Sequence, residues 1–347
     1  MKKIFILLIA LLSTLELAAQ PKFWTWSGYD KNRDWESYFE ELKDVGVTGL
    51  LLSASKEGYE RLIPLANQHG IEIHAWLWIM NNGTIADKHP EWLDYNQLGE
   101  SIKDKKAYVD YYKFLNPIIP GVQDAIVEHI DNIASVEGLK GISLDYCRYV
   151  DAILPTSLWK NYNVVQTEVL PEWDYGYHPD MINAFIKKHG YDPLTVEDIN
   201  SDELWHQFRM DKVNDIVKKL RKVAKKRGIE LTASPFPTPE MSRQMVYQDW
   251  GEWKLDRAFP MIYNGFYYGD LNWIANCVRE CREDMYSKAH LYMGIHVPDY
   301  KGDGDFSIFE AMDTAFENGA EGISFYTFDS LSKEQKDELK RYIKSKR

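Results

Sequence analysis

The stretch "GISLDYCRYV", residues 141–150, runs from apolar positions into an acid, an arginine and two tyrosines. In a sheet of parallel strands the carboxyl ends face the loops that carry chemistry, so Asp145 is placed to act. A carboxylate beside Arg148 is expected to stay ionised at neutral pH, as a nucleophile or a stabiliser of developing positive charge must. Arg148 and Tyr149 share the segment and are expected to face a ligand. The competing reading is an ion pair that closes the strand end.

Cleavage of a glycosidic bond generally needs two carboxyl groups, one protonated and one ionised. The stretch "ASPFPTPEM" after the fifth strand offers Glu240 as the second, although Glu240 also suits a Pro-rich turn or a first helical turn. Glu168, Glu172, Asp299 and Asp329 compete with it. Aromatic residues at strand ends, Trp26, Trp76, Trp78, Tyr263 and Tyr326, can stack on the apolar face of a sugar. His296 has a weaker claim, because a lone histidine near a strand end is often hydrogen-bonded structure. Alternation along "HAWLWI" puts His74, Trp76 and Trp78 on one side, so the lowest of the three is expected to be packing.

Short apolar runs alternating with longer amphipathic ones must position these groups. Strand patterns start at Lys22, Gly49, Ile71, Gly141, Glu230, Arg257, His290 and Gly322. Helical patterns lie between them, and "DVGVTG", "QHGIEI", "VEGLKG", "KRGIEL" and "NGAEG" supply glycines that can end a helix. Eight such units predict an α/β fold, a single (β/α)8 TIM-type barrel with long loops on the catalytic face. A doubly wound open sheet is the rival, but no Gly-rich phosphate turn follows the first strand. Two long segments, about 81–116 and 150–202, are expected as irregular loops shaping a cleft.

Composition narrows the function classes. The formal net charge of -12 argues against nucleic acid, which needs clustered cations. The one basic run, Lys218 to Arg227, has helical spacing and reads as a solvated helix face. Aromatics make up 14% of the chain, with 12 Trp and 22 Tyr, a hint of sugar stacking. Three cysteines and nine scattered histidines suggest neither a metal site nor a cofactor.

Residues 1–19 combine Lys2 and Lys3, an apolar centre and a small-residue exit at Ala18 and Ala19. They are expected to be a signal peptide, leaving 20–347 as one domain, periplasmic or secreted. No later segment is long and apolar enough to span a membrane.

The stretches "IEIHAWLW", "HPEWL", "KFLNPIIPGVQDAIVEHI", "GLKGISLDYCRY", "FRMDKVNDIVKKLRKVAKKRGIELTASPF" and "YQDWGEWKLDRAFPMIYN", in that order, resemble the bacterial family 10 glycosyl-hydrolase-like proteins. The resemblance covers about residues 22–331. It implies an exported glycoside hydrolase acting on a polysaccharide or cell-wall glycan, with peptidoglycan or another amino-sugar polymer as the leading class. It also places Asp145 on the family's acidic position after strand four, and Arg209, Trp76 and Tyr263 on its recurring polar and aromatic positions. Where many members carry two adjacent acids, this chain has Asp145 followed by Tyr146. The alternatives are a non-catalytic glycan-binding barrel, which keeps the aromatic cleft without an acid pair, and a metal-dependent polysaccharide deacetylase.

Overall fold

The computed structural model describes residues 20–300 and 305–346. The expected signal peptide at 1–19 lies outside the described residues. Eight parallel strands close into a barrel in sequential order. They are β1 Lys22–Gly28, β2 Gly49–Ser53, β3 Glu72–Trp78, β4 Gly141–Asp145, β5 Glu230–Ala233, β6 Arg257–Ala258, β7 His290–His296 and β8 Gly322–Tyr326. The helices are α1 Trp35–Val45, α2 Lys56–His69, α3 Gly83–Lys88, α4 Pro120–Ala134, α5 Trp159–Tyr162, α6 Pro179–His189, α7 Glu203–Arg227, α8 Pro239–Val246, α9 Asn264–Tyr267, α10 Leu271–Asp284, α11 Ile308–Glu317 and α12 Lys333–Ser345.

Each of the five expected stop signals holds a glycine in the left-handed region: Gly46, Gly70, Gly138, Gly228 and Gly319. Gly46, Gly70 and Gly228 cap α1, α2 and α7 directly, while Gly138 and Gly319 turn the chain just after the ends of α4 and α11, all without the steric cost a Cβ would bring. Strand β6 is shorter than its apolar pattern because Pro260 lacks the N–H that a ladder needs.

The barrel interior is filled by pairing large side chains with small ones. Trp24 lies across from Gly49, and His74 from Gly141. A Cβ on Gly49 would lie 2.1 Å from the Trp24 ring, and one on Gly141 2.6 Å from His74. Trp24, Trp26, Leu51, Phe259 and Tyr292 form this inner cluster, with Trp76 packed above it. His74 is sealed within the barrel, the packing role expected for the lowest of its row.

The two long segments over the mouth are not independent loops. Asn96 pairs with Tyr175, the Gly176 and Tyr177 N–H groups both donate to the Tyr95 carbonyl, and Tyr108 stacks on Trp173 at 4.2 Å. The segment 150–202 also contains α6, where an irregular loop was expected. Its Phe185 packs edge-on against Trp205 and Phe208 of α7. Pro179 at the helix start and Gly190 at its end were the local signals for it. Residues Lys218–Arg227 form the outer part of α7, where Arg221 pairs with Asp256 and Arg227 with Asp131. No described helix is long and apolar enough to cross a membrane.

Candidate active site

Asp145 is the last residue of β4, with Trp78 of β3 as its neighbour in register. Its carboxylate accepts the Trp76 indole N–H at 2.8 Å and the Tyr146 backbone N–H at 2.7 Å. The second bond depends on Tyr146 standing at φ 47°, a left-handed conformation that costs a non-glycine residue roughly 1–2 kcal/mol. Such strain is characteristic of functional sites.

Burial raises the Asp145 carboxyl to about 6, and the Trp76 bond, the Tyr146 N–H and the charge of Arg148 partly oppose the shift. A carboxyl in that range can hold or release a proton near neutrality, which suits a general acid. Arg148 acts in the expected direction, toward the ionised form, but burial outweighs it. Arg148 is itself buried and forms its ion pair with Asp151, at 3.3 Å.

Aromatic rings build the walls. Trp78 packs on Tyr146 at 4.7 Å and on Tyr111 at 5.8 Å, and both Trp78 and Tyr111 are exposed. On the far side, Tyr326 at the end of β8 is exposed and touches Trp76, Tyr263 and His296, with centroids 6.3, 5.9 and 6.1 Å away. Tyr263 is a partly buried phenol pushed well up by burial, by Tyr326 and by the carboxylates of Asp145 and Asp299. Both acids thus act on one ring.

Asp299, on the turn after β7, lies 2.6 Å from Nδ1 of His296 and also accepts the Gly265 N–H at 3.0 Å. Asp145, Trp76, Trp78, Tyr263, His296 and Tyr326 are therefore gathered at one mouth, together with Asp299. Sequence reasoning missed Tyr111 and Tyr146. Tyr146 stood inside the motif first singled out, and Tyr111 within the tyrosine-rich "YVDYYKF".

Four other residues expected at the site are placed elsewhere, and a fifth, Trp26, lies buried under it. Glu240 is exposed at the start of α8, bonded to Arg243 and Gln244, and its N–H donates to Glu280 of α10. Its partners belong to the outer helices, so it is not the second carboxyl. Arg148 lies beneath the mouth, its guanidinium over the rings of Tyr146, Phe114 and Phe236. The hydroxyl of buried Tyr149 donates to the Arg209 carbonyl. Arg209 is sealed, ion-paired to Asp174 at 2.6 Å, and lies over Tyr247 at 3.7 Å. It pins the long insertion to α7 and does not reach a ligand. Trp26 is 1% exposed and donates to Ser234, so it floors the cleft beneath Tyr326. Among the competing acids, Asp329 is taken by Arg33, and the contacts of the mouth do not include Glu168 or Glu172.

Among the described residues, Glu72, His74 and Glu230 are grouped closely enough to hold a metal ion. They stand at the opposite, amino-terminal end of the strands, and Arg257 already pairs with both acids at 3.0 and 2.9 Å. That guanidinium supplies the positive charge a cation would bring.

The fold and mouth define a (β/α)8 barrel of the glycosidase type, with acids and aromatic rings at the carboxyl ends of its strands. The chain belongs to the glycosyl hydrolase-like 10 family, whose pattern matches residues 35–299. Its fold is similar to the PgaB (BpsB) glycoside hydrolase domain from Bordetella bronchiseptica, with a TM-score of 0.66 and 13% identity over 92% of this chain and 98% of that one. It is also similar to the β-galactosidase from the psychrophilic Marinomonas ef1, with a TM-score of 0.63 and 11% identity over 93% of this chain and 59% of that one. The β-galactosidase from Rahnella sp. R3 gives a TM-score of 0.61 and 10% identity over 95% and 57%. At these identities the likeness is one of fold, and the chain spans under two-thirds of either β-galactosidase. A search of curated proteins matches nothing.

Proposed function

We propose that this protein is an exported glycoside hydrolase that cleaves a polysaccharide or cell-wall glycan, with Asp145 as general acid. One observation carries the reading: the Asp145 carboxyl is buried at the barrel mouth, raised to about 6 and held by Trp76, with exposed aromatic rings beside it. A protonated carboxyl there can deliver its proton to a glycosidic oxygen while Trp78, Tyr111 and Tyr326 stack on the sugar faces. The basic, apolar and small-residue order of residues 1–19 supports export to the periplasm or beyond. Peptidoglycan and other amino-sugar polymers lead the substrate classes because of the family to which the chain belongs.

The test is incubation of the purified protein with a glycan panel that includes denuded peptidoglycan, with products read by mass. Cleavage that disappears in Asp145→Asn supports the reading. Tight glycan binding without cleavage would replace it with the non-catalytic barrel.

A further inference from the structure

We infer that His296 is the catalytic base that takes a proton from the attacking water, and that Asp299 is the residue that positions it. This rests on the hydrolase reading above and deepens it by naming the second half of the proton transfer.

The geometry of the pair fixes a tautomer. An ionised carboxylate can only accept, so His296 Nδ1, 2.6 Å from Asp299 Oδ1, carries the hydrogen. The lone pair of the neutral ring is then on Nε2. No described residue bonds Nε2, and the His296 side chain keeps 21% of its surface exposed. A carboxylate behind a histidine orients hydrolytic bases on unrelated folds in the same way.

The pair is also built in. The other oxygen of Asp299 accepts the Gly265 N–H, and a Cβ on Gly265 would lie 2.5 Å from Asp299 Cγ. Only glycine lets Asp299 approach that turn so closely. The His296 ring is wedged between Tyr263, at 5.4 Å, and Phe266, at 5.3 Å. Tyr326 touches both Trp76, which holds Asp145, and His296, and Tyr263 packs on Tyr326 and His296, so the acid and the dyad border one set of aromatic rings at the mouth.

In the step this implies, the Asp145 carboxylic acid gives its proton to the glycosidic oxygen as the bond from that oxygen to C1 breaks. A water oxygen bonds to C1 and passes one proton to His296 Nε2. Two sugar ends are released, each with a hydroxyl, and Asp145 carboxylate and His296 imidazolium return to their starting forms by exchange with solvent. This is a single displacement with inversion at C1.

The experiment measures turnover of denuded peptidoglycan strands by wild type, His296→Gln, Asp299→Asn, Gly265→Ala and Asp145→Asn, with and without sodium azide. The expected result is a fall of about 10²–10⁴ in kcat for His296→Gln. Azide, which needs no deprotonation, restores its turnover and appears in the product as a glycosyl azide. Asp299→Asn and Gly265→Ala lower kcat with KM little changed. Near-wild-type kcat in His296→Gln while Asp145→Asn is inactive would overturn the dyad and leave the hydrolase reading standing. So would a folded His296→Gln variant, judged by near-UV circular dichroism, that azide fails to rescue. No cleavage by the wild type of any panel glycan would overturn the hydrolase reading itself, and the dyad with it.

Discussion

The indole N–H of Trp76 donates to Asp145 Oδ2 at 2.8 Å, across neighbouring strands and 69 residues of chain. This bond favours the ionised acid and offsets part of the burial that raises it, so Trp76 tunes the residue proposed as general acid.

Trp76→Phe removes the donor and keeps most of the ring. The Asp145 carboxyl should then titrate above its present value of about 6. A general acid works while protonated, so activity is lost as pH rises through its pKa, and that limb of the profile should move to higher pH. The measurement is kcat/KM against pH; an unmoved limb would disconnect Trp76 from the acid.

Asp145→Asn keeps an acceptor for Trp76 and removes the transferable proton. Turnover should fall about 10²–10⁴-fold with the melting temperature close to wild type. By contrast, Glu240→Gln, on an exposed helix start, should leave turnover within about twofold. Equal losses in both variants would restore Glu240 to the site.

Arg209→Met should unfold at lower denaturant. Its buried partner Asp174 would be left without a cation, which typically costs about 3–5 kcal/mol. Substrate affinity at sub-denaturing conditions should be unchanged, measured as KM alongside urea unfolding. A large rise in KM with intact stability would return Arg209 to ligand binding.

Asp94 gives the fold an unusual pH dependence. Burial is the main cause that lifts its carboxyl to about 7; the bond from Asn116, the Tyr95 N–H and the charge of Arg209 oppose it, and Asp174 adds to it. The folded chain therefore holds a proton that the unfolded chain releases above about pH 4, so stability falls as pH rises from about 4 to about 7. Asp145 acts in the same direction between about 4 and 6. Asp94→Asn removes the larger of the two penalties. It should be more stable than wild type by about 2–4 kcal/mol at pH 7.5, and by clearly less at pH 5. Urea unfolding at both values tests the sign.

The eight strand patterns, the glycine stops and the position of Asp145 were legible because each depends on local physics. Apolar alternation marks a strand, and a left-handed glycine ends a helix within one turn. Strand β6 and helix α6 show the limit. Pro260 cut short a run that stays apolar after Arg257, and α6 was hidden by the polar residues around it.

Which polar groups meet at the mouth was decided by tertiary structure. Arg209 and His296 both looked like ligand contacts, yet one is sealed against Asp174 while the other, beside Asp299, keeps a nitrogen that no described residue bonds. The difference lies in what packs against each from distant segments: the insertion carrying Asp174 covers Arg209, whereas the α9 turn bonds Asp299 through Gly265 and packs Phe266 on the His296 ring without burying the side chain fully. Chain order alone set the barrel and put an acid at its rim. Long-range packing chose that acid's companions, because burial and hydrogen-bond partners are properties of neighbours in space.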